Sequence, residues 1–288
     1  MSIFHGLEGA DMRACWDRRA FVFGHGLQDH PALTMANLAE AIPALPPNQV
    51  FHSSGQLSNA DDFDNAHRLH RPHESLEQAL DQLRTTNAYI MVREPEAHPS
   101  FRELHRELRA EVAAAARLAG LPDAIHHARL YLFIASPGSV TPFHIDRVST
   151  CLLQVRGRKE VVVYPPWDTR VVSDEDAEHF FAYTGRRPPW RADAEPLGTR
   201  FDFSPGQALH IPFAAGHHVR NGDDDVSISL SIIFNTAESL RLTRALRLNH
   251  AMRTWGSRIG LAPGRVAPGA RGLRAKSLGW RLASRLLG

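Results

Sequence analysis

Residues 141–166 read TPFHIDRVSTCLLQVRGRKEVVVYPP, and residues 204–234 read SPGQALHIPFAAGHHVRNGDDDVSISLSIIF. The first run opens on an H-x-D pair, His144-Ile145-Asp146, and the second carries the adjacent histidines His217 and His218. Two imidazoles and one carboxylate make the facial set that holds non-haem Fe(II) while leaving coordination positions open. Residues two apart on a strand share a face. If residues 140–146 form a strand end, His144 and Asp146 therefore converge on one ion while Ile145 turns away into packing. Residues 208–212 read as a short strand, and the Pro-Phe-Ala-Ala-Gly turn after it aims His217 or His218 back toward that ion. His217 is the favoured third ligand, because His218 begins the next extended run and suits a position behind the ligands or facing a substrate.

A chain with 17 histidines produces H-x-D triplets by chance, and short motifs need structural context. Several elements in fixed order provide it: T-P-x-H-x-D, an R-G-x-K strand ending in Pro165-Pro166, a Pro-Gly turn before I-P-x-x-x-x-H, and a final alternating strand. Together, over roughly residues 128–236, they resemble the cupin-like JmjC branch of Fe(II)/2-oxoglutarate oxygenases, which includes the asparaginyl hydroxylase acting on hypoxia-inducible factor. The resemblance implies a mainly β fold, a double-stranded β-helix (cupin or jelly-roll) barrel with flanking N-terminal and C-terminal helices. It also implies His144, Asp146 and His217 as catalytic iron ligands and 2-oxoglutarate as cosubstrate. Lys159 falls where that branch pairs an ammonium with the distal carboxylate of 2-oxoglutarate, and Thr141 matches a hydroxyl that hydrogen-bonds the same group.

Physical reasoning supports the lysine. A dicarboxylate that chelates iron at its keto-acid end leaves its second carboxylate buried, and a buried anion needs a cation and donors. Lysines are mostly solvated, but Lys159 precedes the interior-type strand sequence Glu160-Val161-Val162-Val163-Tyr164. Tyr89, in the strand-like run Ala88-Tyr89-Ile90-Met91-Val92, offers a further hydroxyl or simply a half-buried aromatic. Where the asparaginyl hydroxylase has asparagines near iron, Thr150 and Ser231 stand here, and its substrate-contacting segments have no readable match.

Composition agrees with a soluble enzyme: 43% of the 288 residues are hydrophobic and 22% charged, enough for a substantial core. Cys15 and Cys151 make no disulfide framework, no apolar run reaches membrane-spanning length, and no basic-then-apolar leader opens the chain; a cytoplasmic location is the resulting expectation. The chain divides into an N-terminal buttressing α/β segment (1–127), the catalytic barrel (128–236) and a basic helical tail (237–288). Strand-like residues 20–23 and helical stretches over 33–42 and 75–83 belong to the first. A further helix over 98–120 presents Leu104, Leu108, Val112 and Ala115 on one face. Residues 167–203, rich in Pro, Arg, Asp and aromatics, read as a polar insertion, either a lid or a surface excursion.

From Arg241 onward the chain has 11 of its 33 Lys and Arg residues and none of its 31 acids. Residues 1–240 therefore carry a net charge of −9 and the tail +11. Leu240, Leu242, Ala245, Leu246 and Leu248 interleave with Arg241, Arg244 and Arg247 as in an amphipathic helix. Docking on the acidic body or in a homodimer is the leading expectation, an anionic surface the next, and nucleic acid the last, since no recognition module accompanies the charge. The function expected is oxygenation, a hydroxylase acting on a peptide or protein side chain or a small metabolite with O2 and 2-oxoglutarate. Demethylation would use the same step on an N-methyl carbon. The other class of reading is a non-catalytic cupin-like binding or regulatory protein.

Overall fold

A computed structural model describes residues 2–8, 11–54, 57–61, 76–85, 88–121, 125–256 and 262–287. In chain order its elements are β1 (Phe4–His5), α1 (Met12–Cys15), β2 (Phe21–His25), α2 (Met35–Ala44), β3 (Val50–Ser54), α3 (Leu76–Asp81), β4 (Ala88–Arg93) and α4 (Pro99–Leu118). There follow β5 (His126–Ala135), β6 (Val140–His144), β7 (Ser149–Arg156), β8 (Lys159–Val163), α5 (Asp174–Phe181), β9 (Thr199–Phe203), β10 (Gln207–Ile211), β11 (His217–Asn221), β12 (Ser227–Asn235), α6 (Ala237–Gly256) and α7 (Leu273–Leu287). Of the expected helix over 75–83, α3 covers Leu76–Asp81, and Ser75 lies outside the described residues.

The strands form an eight-stranded sheet, ordered β1-β2-β10-β7-β12-β5-β4-β3, and a four-stranded sheet, ordered β6-β11-β8-β9. Neighbouring strands pair antiparallel throughout, the two-sheet arrangement of a jelly-roll barrel. Strands from residues 1–127 extend the larger sheet at both ends.

Period-two alternation explains why the larger sheet has a dry face and a polar one. On β12, Ile228, Leu230, Ile232 and Phe234 join the core under α4, with Leu130, Leu132 and Ile134 of β5 and Leu104, Leu108 and Val112 of the helix. Their neighbours Ser227, Ser231, Tyr131 and Phe133 line the barrel interior. The helical stripe anticipated on residues 98–120 is thus the one that packs, and His98 caps α4 by accepting from the Ser100 amide. A second core closes the barrel end with Leu152, Val161, Val163, Phe203, Leu209 and Val219.

Residues 167–203 are more regular than a polar insertion. Ser173 caps α5 by accepting from the Asp176 amide, and the acidic first turn Asp174-Glu175-Asp176 suits the helix dipole. Thr199–Phe203 then pairs along the whole of β8 and completes the smaller sheet. Arg200 and Asp202 hide this strand in the sequence, although Phe201 and Phe203 alternate with them and turn toward the core.

Candidate metal and cosubstrate site

Strand register brings the two histidines together. His217 of β11 is the cross-strand partner of His144 at the end of β6, and their ring centroids are 4.1 Å apart. Next along the ladder, Val219 pairs with Thr141, so two residues on β11 span three on β6. This bulge at Pro142-Phe143 places both Thr141 and His144 on the interior face, which strict alternation would forbid. Asp146 lies two residues beyond β6 rather than on it. Ile145 between them is buried against Phe213 and Leu246, as its apolar side chain requires.

One ligand atom from each of His144, Asp146 and His217 lies within 4.8 Å of the others, and His217 Nε2 is 3.7 Å from Asp146 Oδ2. Backbone carbonyls set the tautomers: His144 Nδ1 donates to Pro142 O at 2.8 Å and His217 Nδ1 to Ala215 O at 3.1 Å. In a neutral ring this makes Nε2 the lone-pair nitrogen, the orientation that metal-binding histidines use. Burial, reinforced by the neighbouring His144, lowers the His217 pKa to about 4, so the ring is neutral at physiological pH.

His218 points the other way, as adjacent strand residues must. Its Nε2 lies 3.3 Å from the Tyr164 hydroxyl and its ring packs on Trp190, outside the barrel interior, so it does not face a substrate there.

The triad opens into a cavity of about 490 Å³ whose lining includes Tyr89, Thr141, Thr150, Lys159 and Ser231. Thr141 Oγ1 donates to the Tyr89 hydroxyl at 3.3 Å, and burial raises the Tyr89 pKa, which keeps the phenol protonated. Lys159 is 7% exposed, shares the inward face of β8 with Val161 and Val163, and has no carboxylate partner among the described residues. Burial alone lowers its pKa to about 7. Three buried polar atoms of the lining, Thr150 Oγ1, Asn221 Oδ1 and Arg93 Nε, also have no hydrogen-bond partner among the described residues. An unpaired buried cation beside orphaned polar atoms is costly in a ligand-free fold and fits a cavity made to receive an anion.

Sequence reasoning passed over Arg93, Tyr131, Arg147, Asn221 and Asn235, which line the same cavity. Alternation offered a signal for two of them: Arg93 follows Tyr89 and Met91 at spacing two on β4, and Asn221 follows His217 and Val219 on β11. Arg147 sits in a turn where spacing says nothing.

The chain belongs to the cupin-like domain family, whose match covers residues 26–239. It is also similar to the Jumonji C domain-containing protein 5 of Drosophila melanogaster, 32% identical over 104 residues. That stretch is 34% of this chain and 26% of the fly protein. Among solved structures, YcfD of Escherichia coli is similar at 17% identity with a TM-score of 0.48, covering 95% of this chain and 66% of that one. A structure of YcfD, described as a ribosomal oxygenase, in complex with cobalt and 2-oxoglutarate matches at 19% identity with a TM-score of 0.45, covering 93% of this chain and 64% of that one. The chain thus spans about two thirds of YcfD and about a quarter of the fly protein.

Proposed function

We propose that the protein is an Fe(II)- and 2-oxoglutarate-dependent oxygenase, a hydroxylase, in which His144, Asp146 and His217 hold the metal. The observation that carries this reading is the placement on one cavity of a His–Asp–His set and a buried lysine without a carboxylate partner among the described residues. A metal-binding protein without cosubstrate has no use for Lys159. A purely structural barrel has no use for either.

Iron(II) with bound 2-oxoglutarate and O2 supplies oxidative decarboxylation to succinate coupled to insertion of oxygen into a C–H bond. The chain's own residues do the rest. Pro142 O and Ala215 O orient the two imidazoles. Lys159 pairs with the distal carboxylate of the cosubstrate, and Thr141 and Tyr89 complete its hydrogen bonds. Tyr131, Phe133 and Ile233 give the cavity wall an apolar surface that limits water near the reacting centre. The likeness to the asparaginyl hydroxylase branch is kept to metal and cosubstrate, because Thr150 and Ser231 occupy the positions of its asparagines. In the proposed division the barrel, residues 128–236, holds Thr141, His144, Asp146, Lys159 and His217, and the buttressing segment contributes Tyr89 from β4.

Succinate formation from 2-oxoglutarate with added Fe(II) tests this. The wild-type protein is expected to show iron-dependent turnover, slow without the prime substrate. His144→Ala, Asp146→Ala and His217→Ala should each lose about 100-fold or more, since removing even a group that only supports a metal ligand costs about 10–100-fold. His218→Ala should retain turnover. A dead His218→Ala beside an active His217→Ala would overturn the ligand assignment.

A further inference from the structure

We propose that the prime substrate of this site presents an oxyanion, a carboxylate or a phosphate, which Arg93 and Arg147 receive in the cavity. The inference rests on the oxygenase reading and adds the chemical class of the substrate to it.

Charge is the starting point. Residues 1–240 carry a net −9, yet the cavity is lined by Arg93, Arg129, Arg147 and Arg187, with Asp146 the only carboxylate among the described lining residues. A divalent metal, the Asp146 carboxylate, the Lys159 ammonium and a 2-oxoglutarate dianion neutralise one another. Arg93 and Arg147 are left over. Arg129 is paired with Glu94.

Arg93 and Arg147 have no carboxylate within ion-pair distance among the described residues; what holds them is aromatic. The Arg93 guanidinium lies 4.3 Å from the Phe51 ring centroid and 5.9 Å from that of Tyr131, and its Nε is buried without a hydrogen-bond partner among the described residues. Arg147 lies 3.6 Å over Phe180 and 4.0 Å over Tyr183, and among the described residues its side-chain donors reach only the Phe180 carbonyl. Stacking on ring faces fixes a guanidinium's plane and leaves N–H donors for a planar or tetrahedral oxyanion; in Arg147 the Nε and Nη2 donors are turned to the Phe180 carbonyl, so Nη1 is the donor left to offer.

The same field disfavours cations. A lysine, methylammonium or arginine side chain entering this cavity meets like charges at several positions, a form of discrimination by repulsion. Between the two C–H chemistries open to the site, this favours hydroxylation of an acidic substrate over removal of methyl groups from a cationic one.

The test uses four small probes on one frame, the N-acetyl amides of glutamate, phosphoserine, glutamine and lysine. Ligand-observed NMR follows their binding to the full chain saturated with 2-oxoglutarate and with Zn(II) as a redox-inert metal. The glutamate and phosphoserine probes are expected to bind at least tenfold more tightly than the glutamine probe, with the lysine probe weakest, and the preference should shrink as salt screens the arginines. Arg93→Gln and Arg147→Gln should each remove most of the preference, and Arg93→Lys should restore part of it. Loss of aromatic packing alone would weaken all four probes alike. The relative strength of the glutamate and phosphoserine arms identifies which oxyanion is native. Equal binding of charged and neutral probes, tighter binding of the lysine probe, or an unchanged preference in both glutamine variants would overturn the proposal; where one variant does not fold, the other and the salt series decide. Anionic selectivity in a protein that never consumes 2-oxoglutarate would uphold the anion site while refuting the oxygenase reading.

Discussion

Lys159 is a buried cation with no anionic partner among the described residues, and its protonation is therefore linked to both stability and binding. Folding lowers its pKa from 10.5 to about 7. The unfolded chain binds this proton more tightly, so the lysine's contribution to stability rises with pH from about 7 toward 10.5 and is most unfavourable below about 7. Replacing it with an apolar residue of similar length removes that cost. Lys159→Met is expected to make the ligand-free protein more stable by a few kcal/mol at neutral pH, read as a raised denaturant midpoint, while weakening 2-oxoglutarate binding by 100-fold or more. In the wild type the ammonium form binds the dianion. Calorimetric affinity should thus fall by about tenfold per pH unit above about 7, with proton uptake on binding. A pH-independent affinity, or a destabilised Lys159→Met that still binds 2-oxoglutarate, would mean that the lysine pairs with something other than the cosubstrate.

Among the elements, β6 does the most for the site, because its bulge at Pro142 sets Thr141 and His144 on one face. Behind the barrel, the turn after α1 is tied to the strand that leads into the His217 turn. Asp17, at a positive φ of 52°, accepts from the Phe213 amide at 3.3 Å, and its own amide donates to His210 Nε2 at 3.2 Å. Asp17→Ala leaves the buried Phe213 amide without its partner and should cost about 1–3 kcal/mol in denaturant unfolding. A loss under 0.5 kcal/mol would show that the amide finds another acceptor.

Legibility of the elements followed the clarity of their period. The stripe on α4 and the serine–aliphatic alternation of β12 were plain, because each buries one continuous apolar face. β9 was not, because Arg200 and Asp202 turn its outer face toward Glu160 and solvent and break the apolar run. The H-x-D pair and the distant histidine were readable as residue types in order. Their convergence was only partly so, since a bulge and a turn, not plain alternation, deliver Thr141 and Asp146. Arg147 was illegible, as its role depends on rings that arrive from α5 and Tyr183.

At the scale of the whole molecule, the basic tail is joined to the acidic body. Leu242, Ala245 and Leu246 of α6 pack with Phe180, Phe181, Phe213 and Ile145. Glu178, 1% exposed on α5, accepts from Arg253 Nε at 2.8 Å and from Asn249 Nδ2 at 3.0 Å, and Arg265 lies 3.3 Å from Asp174. Arg247 donates to Phe181 O, beside the wall that holds Arg147. Two of the tail's 11 basic residues, Arg253 and Arg265, thus pair with acids of α5, and the apolar face of α6 packs beside the site. Arg253→Ala should lower stability by about 1–3 kcal/mol through the lost charged hydrogen bonds to Glu178. Truncation after Asn235 should impair metal binding as well as folding of α5. A truncated chain with wild-type metal affinity would separate the tail from the site. No helix among the described residues is long and apolar enough to cross a membrane.

The most direct test of the account is crystallographic: crystals of the full chain soaked with Mn(II) and 2-oxoglutarate, with the metal located by anomalous scattering. The predicted result is one metal peak about 2 Å from a nitrogen of His144, a nitrogen of His217 and a carboxylate oxygen of Asp146, with 2-oxoglutarate running from it to the Lys159 ammonium. A metal bound elsewhere, or 2-oxoglutarate absent from Lys159 at saturating concentration, would contradict it.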